Sequence, residues 1–359
     1  MKGLLDGFRG EHAVSEMPRL AIILGAGASF DCCPPDRPDL TKQGDWDWQP
    51  PIVSNLLESK EFNKFLNTHL NAADIFNDIR MEVSREVPFE KALRSRWESD
   101  NEHIRYKMRF VPIALQQFFW RASEAYTNQP ANYVALVSQT VGRGITTAFV
   151  TMNYDTILDK VLCRFRAGPH DSSLRTMGSY FSSPDWLLVK LHGSADWGYR
   201  VGDAAVSIEG VLAAQELRPF AREEIEVLSL PGDLREGRTL FYPALALPVE
   251  GKYGFVCPIS HEDALVTYLQ DCDNFLFVGF SARDSDLLEC LSANVRGVRR
   301  LWIVTGPDDL DDVKERLRSI GPFRRNPMSR QPEHTYTSFT DFARRGLSDL
   351  TGYILSDKG

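Results

Sequence analysis

The sequence predicts an α/β protein with a mostly parallel β-sheet and helices on both faces. Short apolar runs of strand length recur along the chain, and most are separated by segments long enough to form a crossover helix. The runs are LAIILG, TTAFVTMNYD, WLLVKLHGS, TLFYPALALP, NFLFVGFS and RLWIVTG. Their nearly continuous apolar character is typical of strands buried on both faces of a parallel sheet.

The composition and charge of the chain limit the classes of function that we expect for the protein. The 359 residues are 43% hydrophobic and 25% charged, enough to bury a sizeable core. The formal net charge of -8 argues against an extended basic surface that binds nucleic acid electrostatically. No apolar run approaches the ~20 residues of a membrane span, and MKGLLDGFRGEHAV at the N-terminus lacks the apolar core of a signal peptide. We therefore expect a cytoplasmic protein without membrane or direct nucleic-acid contacts.

The chain is expected to be one catalytic domain, residues 1–359, that carries a helical insertion. Residues 52–130 change to helical spacing, as in IRYKMRFVPIALQQFFWRASEAY, and residues 307–359 are predicted to add C-terminal helices. The aromatic run Phe118, Phe119 and Trp120 suggests an apolar face covered by another copy or a partner, so a homo-oligomer is predicted. The alternative is that these aromatics form a local core.

The first apolar run stops at two glycines, in LAIILGAGASFD. A strand followed by Gly25, Ala26 and Gly27 would let a ligand approach the backbone, and a helix starting there would turn its N–H groups toward a phosphate. The third glycine of the Gly-x-Gly-x-x-Gly fingerprint is missing, because Phe30 occupies its position. A turn that is tight for purely structural reasons explains the loop equally well.

Polar or small residues follow strand after strand, in GAGAS, TMNYD, LHGS, VGFSARDSD and VTGPDD. Ligands of open α/β sheets bind outside the carboxyl ends of the strands, so these clusters are predicted to meet at one crevice. Each polar residue also has an ordinary interpretation, as a turn former (Asn153, Asp155), a core histidine (His192), a helix cap (Ser281) or a first-turn acid (Asp284, Asp286). Their joint occurrence favours a site.

Four of these segments, in this order, resemble motifs of the sirtuin family. They are GAGAS at 25–29, TMNYD at 151–155, KLHGS at 190–194 and GFS at 279–281. The similarity covers roughly residues 19–35 and 145–305, and it implies a Rossmann-like fold that binds NAD in an extended pose. The residues implied to contact NAD are Gly25, Ala26, Gly27, Ser29, Thr151, Asn153, Asp155, Gly279, Ser281 and Thr305. The glycine loop would lie at the pyrophosphate, and Ser281 and Thr305 at the adenosine half.

The resemblance places Asn153 and Asp155 in the nicotinamide pocket and His192 at the nicotinamide ribose, and their chemistry suits catalysis there. Cleavage between ribose C1′ and nicotinamide passes through an oxocarbenium-like state with a neutral leaving group, so no general acid is required. The amide of Asn153 suits the orientation of an attacking water, and Asp155 suits a contact with the nicotinamide amide. His192 is the side chain able to accept a hydrogen bond from a ribose hydroxyl at neutral pH.

The chain also departs from the sirtuin deacetylases. Its six cysteines include no Cys-x-x-Cys pair, so the zinc ribbon is missing and no zinc is expected. The cysteines, with the vicinal pair Cys32 and Cys33, are expected to be reduced and mostly buried. The peptide-pairing segment is replaced by FYPALALPVEGKYGF, whose two prolines suit β-pairing with a peptide poorly. Cleavage of NAD without an acetyl-lysine groove is the predicted activity.

This combination resembles the sirtuin-like NADases of bacterial anti-phage defence. The resemblance implies a regulated NAD glycohydrolase that depletes cellular NAD. It also implies a partner of the HerA-type ATPase class or, less closely, a short Argonaute. Two alternatives stay open. One is a zinc-free deacylase or ADP-ribosyltransferase, which would release nicotinamide only with an acceptor protein; the other is a non-catalytic NAD or ADP-ribose sensor.

Overall fold

The structure of the chain is a computed structural model. It describes residues 17–33, 49–126, 130–167, 174–203, 221–229, 235–236, 239–247, 254–324 and 336–356, together with Leu212. The strands of these ranges are β1 (Arg19–Leu24), β2 (Thr146–Thr151), β3 (Trp186–Lys190), β4 (Gly193–Asp203), β5 (Ile225–Val227), β6 (Arg235–Glu236), β7 (Thr239–Leu245), β8 (Asn274–Val278) and β9 (Arg300–Val304). They form two separate sheets.

The helices alternate with the strands or cluster between them. They are α1 (Ala26–Phe30), α2 (Lys60–Leu66), α3 (Leu70–Val83), α4 (Phe89–Trp97), α5 (Glu102–Met108), α6 (Phe110–Ala125), α7 (Ala131–Gln139), α8 (Ile157–Ala167), α9 (Ile259–Gln270), α10 (Ser285–Asn294), α11 (Leu310–Ser319), α12 (Gly321–Arg324), α13 (Phe339–Arg345) and α14 (Leu347–Ser356). Short 3₁₀ turns occur at Val53–Glu58, Val141–Arg143, Met177–Tyr180, Arg222–Glu224 and Pro307–Asp309.

The larger sheet has five parallel strands in the order β3-β2-β1-β8-β9. In chain order this is 3-2-1-4-5, the strand order of a Rossmann-type sheet, and the order reverses between β1 and β8. In register, Leu24 pairs with Thr151 and with Val278, so the carboxyl ends of neighbouring strands lie at one edge. The predicted α/β class with a parallel sheet and flanking helices is confirmed.

The core of this sheet follows from the apolar runs. Leu20–Leu24 of β1 are completely buried, and Asn274–Val278 of β8 are buried along their full length. Strands covered on both faces can place side chains of either orientation in the core, which explains the absence of polar alternation in their sequences.

The run TLFYPALALP is not part of the parallel sheet, contrary to expectation. It forms β7 in a four-stranded sheet of order β5-β4-β7-β6, where β4 and β7 are antiparallel. Only Leu191 and His192 separate β3 from β4, too few residues for a crossover helix, so the chain turns into the second sheet. At this turn Gly193 has φ of +82°, and a Cβ there would lie 1.9 Å from the carbonyl oxygen of Ala244.

Helices α2 to α6 form a lobe with its own apolar core. Phe62 is buried between Phe76 and Phe118 in edge-on ring contacts, with ring centroids 5.0 and 4.8 Å apart. Phe118 and Phe119 are buried in this core, so the expectation that they cover an external face is wrong and the local-core alternative holds.

The lobe reaches the larger sheet through Tyr154, which follows β2. Its ring belongs to the core of the lobe and lies 5.4 Å from the ring of Phe119. Its hydroxyl donates to the carbonyl oxygen of Ala246 at 2.6 Å, just beyond β7. The loop between β2 and α8 is therefore packed against the lobe on one side.

Candidate active site

The structure brings Asn153 and the glycine loop together at the carboxyl edge of the larger sheet. The Nδ2 of Asn153 donates to the carbonyl oxygen of Gly25 and to the Oγ of Ser29, each at 2.9 Å. Since a carbonyl oxygen only accepts, the nitrogen of the amide must face Gly25. Both amide hydrogens are used in these bonds, so the side-chain oxygen of half-buried Asn153 is the atom left to act on a ligand.

Ser29 links three side chains of the site. It accepts from Asn153, lies 2.9 Å from the hydroxyl of Tyr133 and is hydrogen-bonded to Asp155. A hydroxyl has one proton and two lone pairs, so Ser29 satisfies all three by donating to Asp155 and accepting from the others. Tyr133 lies on α7, 104 residues from Ser29. Sequence reasoning did not include it, because nothing near Tyr133 in the sequence signals this contact.

Asp155 is a buried carboxyl at the start of α8. Burial raises its pKa above the ordinary value, against the opposing effects of the nearby Lys190 ammonium and the hydrogen bond from Ser29. One carboxylate oxygen accepts from the N–H of Ile157 at 3.2 Å. Asp155 is thus held in place by the first residue of α8 and by Ser29.

Lys190 holds the loop between β2 and α8 in place through buried polar contacts. Its side chain is completely buried, and its Nζ donates to the backbone carbonyl of Asp155 and to Asp159, the latter at 3.1 Å. Asp159 also accepts from the hydroxyl of Tyr180 at 3.2 Å. In the sequence Lys190 stands in the motif KLHGS, and spacing does not predict its partners because they lie 31 and 35 residues away.

Asp196 is a further acid of this buried group. Burial, followed by the negative charge of Asp159, raises its pKa to about 6. Ser194 donates to its carboxylate at 2.5 Å. The charge of Lys190 opposes the rise but does not cancel it. The group around Lys190 therefore holds more acids than bases.

His192 pairs with Asp284, which lies beyond β8. The Nε2 of His192 is 2.7 Å from one carboxylate oxygen of Asp284, while the other accepts from the N–H of Leu287 at 2.7 Å and caps α10. Burial acts to raise the pKa of Asp284, but the hydrogen bond and charge of His192 outweigh it, and the pKa is lowered. The interpretation of Asp284 as a first-turn acid is therefore wrong: it is the N-cap, and Asp286 is the first-turn acid.

The structure gives a steric reason for the glycines at positions 25, 27 and 279, which the sequence alone could not separate from a ligand-binding role. A Cβ on Gly25 would lie 2.3 Å from the carbonyl oxygen of Gly279, and a Cβ on Gly27 would lie 2.9 Å from its Cα. Gly279 itself has φ of +57°, and a Cβ there would lie 2.3 Å from the backbone nitrogen of Ala28. The loops after β1 and β8 therefore touch backbone to backbone at the point where the strand order reverses.

The expected row of free N–H groups in the glycine loop is only partly present. Helix α1 has five residues; the N–H of Gly27 donates to the carbonyl of Gly279 at 3.2 Å, and that of Ala28 to Gly25 at 3.0 Å. Ala26 precedes these bonded amides; in this loop Ala26 is exposed and Gly27 is half-buried.

The remaining predicted positions lie along the same edge. Thr151 is buried, donates to the carbonyl of Leu24 at 3.1 Å and accepts from the N–H of Asn153 at 3.0 Å, so it positions the Asn153 loop. Ser281 is exposed, and Thr305, directly after β9, is half-buried. Ser281 follows β8 and Thr305 follows β9, which lie two and three strand positions from β2, the strand that precedes Asn153.

The vicinal thiols of Cys32 and Cys33 are buried next to this loop, with their sulfur atoms 3.6 Å apart. Burial, and then the hydrogen bond to Cys33, raises the pKa of Cys32 well above its ordinary value, which disfavours the reactive thiolate.

No group of three or more His, Cys, Asp or Glu side chains in the described ranges is arranged to hold a metal ion. None of the described helices is long and apolar enough to cross a membrane.

Comparisons with known proteins find likeness only among solved structures. No protein-family profile and no curated protein matches the chain. A mutant Sir2 homologue in complex with ADP-ribose is 10% identical over 96% of this chain and 94% of that chain, with a TM-score of 0.40. A Sir2 homologue in complex with NAD is 12% identical over 96% and 92%, with a TM-score of 0.39. Sir2Tm bound to a propionylated peptide is 13% identical over 94% and 95%, with a TM-score of 0.37. Values this low do not assign a ligand to the chain.

Proposed function

We propose that the chain is a sirtuin-like NAD glycohydrolase, which cleaves NAD to nicotinamide and ADP-ribose. The observation that carries the proposal is the orientation of Asn153. Two hydrogen bonds hold its nitrogen against the glycine loop and leave its oxygen as the free acceptor, at the point where a Rossmann-type sheet receives a dinucleotide. An amide oxygen fixed in this way can accept a hydrogen bond from the attacking water and hold the water at ribose C1′.

The neighbouring residues supply the other contacts that the reaction needs. Asp155, fixed by Ser29 and the start of α8, is proposed to bind the nicotinamide amide. His192 is proposed to accept a hydrogen bond from a ribose hydroxyl. Ala26 is the proposed backbone contact for the pyrophosphate, and Ser281 and Thr305 are the proposed contacts for the adenosine half. The leaving nicotinamide is neutral, so the mechanism requires no general acid.

The biological role we propose is depletion of NAD during phage infection, by a cytoplasmic homo-oligomer that assembles with a HerA-type ATPase. This part is supported by the resemblance of the four sequence motifs to the anti-phage NADases. The partner would supply the trigger. A short Argonaute is the second partner class to test.

The test is chromatography of NAD after incubation with the full chain, alone and with each partner class. The expected result is equimolar nicotinamide and ADP-ribose, lost in Asn153→Ala and retained in Asn294→Ala. Asn294 is a matched control, since its amide donates only within α10, to the carbonyl and sulfur of Cys290. Nicotinamide release that requires an acylated or acceptor protein would favour the deacylase or ADP-ribosyltransferase. Tight binding of NAD without turnover in any assembly would favour the sensor.

A further inference from the structure

The His192–Asp284 contact spans the crevice. His192 follows β3 and Asp284 follows β8, and β2 and β1 lie between these two strands. Three strand spacings amount to about 14 Å, so the two loops must lean toward each other to bring the side chains to hydrogen-bond distance. The contact is 2.7 Å long, and both side chains are largely shielded, with 27% and 16% of their surfaces exposed.

The ionisation of Asp284 decides which nitrogen of His192 carries the proton. Asp284 lies 2.7 Å from Nε2 and, like an ordinary aspartate, is ionised near neutral pH; an ionised carboxylate can only accept. The Nε2 of His192 must therefore be protonated and donate. In neutral imidazole the other nitrogen, Nδ1, is then the acceptor.

We propose that Asp284 is a positioning residue that locks His192 in the Nε2–H tautomer, so that Nδ1 is presented as the acceptor for a ribose hydroxyl. This inference rests on the proposed NAD hydrolysis for its functional half, whereas the tautomer is a property of the chain by itself. Asp284 is well suited to the task, because its second oxygen is fixed by the N–H of Leu287 and its position is set by the start of α10.

The variant Asp284→Asn tests the effect of Asp284 on the His192 tautomer without removing the N-cap of α10. Asparagine caps helices as well as aspartate, so α10 keeps its N-cap. With the Asn oxygen on the N–H of Leu287, its NH₂ group faces His192 and can only donate. The Nε2 of His192 must then accept, and the proton moves to Nδ1, the wrong nitrogen for a ribose hydroxyl. The matched control is Asp286→Asn, an identical change two residues away whose carboxylate accepts from the N–H of Gly254.

The first readout is nitrogen NMR of the full chain labelled in histidine, with the His192 signals assigned by their loss in His192→Gln. We expect protonated Nε2 and bare Nδ1 in the wild type and in Asp286→Asn, and the reverse in Asp284→Asn. Asp284→Ser, which keeps a cap but is too short to reach His192, should give a mixture of tautomers. Protonated Nδ1 in the neutral wild type, or a wild-type spectrum in Asp284→Asn, would overturn the proposal.

The second readout is NAD hydrolysis by the same variants, with folding checked by circular dichroism. Asp284→Asn should lose about 100-fold or more in kcat/KM, while Asp286→Asn stays near the wild type. A reversed tautomer with unchanged hydrolysis would refute the positioning role. If even the wild type fails to hydrolyse NAD in every assembly, the proposed function is wrong, and the spectra alone then decide whether Asp284 sets the tautomer.

Discussion

Replacing Lys190 with methionine should be among the most destabilising single changes in the chain. The ammonium of Lys190 is completely buried and pairs with Asp159, whose side chain is only 6% exposed. Methionine preserves much of the volume but leaves the buried Asp159 carboxylate without its counter-charge. Removing one partner of a buried pair costs about 3–5 kcal/mol, against a total stability of about 5–15 kcal/mol for a folded domain.

The measurement is urea denaturation followed by circular dichroism at pH 7.5. The control is Lys107→Met on α5, since Lys107 pairs with Asp74, which is 59% exposed, and an exposed pair contributes at most about 1 kcal/mol. Asp159→Asn in the Lys190→Met background removes the stranded charge and keeps an oxygen for Tyr180, so the double variant should regain part of the loss.

A loss below about 1 kcal/mol for Lys190→Met, indistinguishable from Lys107→Met, would refute the buried-pair reasoning. So would a double variant less stable than Lys190→Met, because the stranded carboxylate would then not be the cause.

Asp196→Asn should be more stable than the wild type by about 1–3 kcal/mol at pH 7.5 in urea denaturation, because the folded chain holds Asp196 ionised above a pKa of about 6. The raised pKa means that the wild type gains stability as pH falls through 6, so the two proteins should converge by about pH 4; a difference independent of pH would contradict this. Gly25→Ala should lower the melting temperature, since its Cβ would meet Gly279 at 2.3 Å; an unchanged Tm would show that the loops can separate. Asn153→Ala should bind NAD by calorimetry yet lose about 100-fold or more in hydrolysis, and near-normal hydrolysis would exclude its proposed role.

The parallel sheet was predictable because its strands are buried on both faces and their apolar runs are continuous. The antiparallel sheet was not, since TLFYPALALP reads as apolar as the others. The distinction lies in the connection: two residues between β3 and β4 force the chain away from the parallel sheet, and that boundary was hidden inside the motif KLHGS. An apolar run by itself predicts a β-strand, but it does not determine which strand that one pairs with.

From the sequence it was possible to predict that residues at several strand ends meet in one site. It was not possible to predict which side chains contact each other there. Asn153 and Ser29 were proposed together because both follow strands of one sheet, and they are in contact. The pairings made by Tyr133, Lys190 and Asp284 were not predicted, although the last two stand in the quoted clusters, because each residue lies far along the chain from the one it supports. For the glycine loop the sequence left two interpretations open, a ligand-binding loop and a tight structural turn, and the close approach of Gly279 supplies a structural reason for Gly25 and Gly27.

Tyr154 connects the helical lobe to the candidate active site. Its neighbours on either side are Asn153 and Asp155, while its own ring is enclosed by the lobe beside Phe119 of α6. A shortened protein without residues 52–130 would therefore expose that ring and release the loop that carries both groups. Conversely, a molecule that grips the lobe and displaces α6 would move Asn153 from a distance, without entering the crevice.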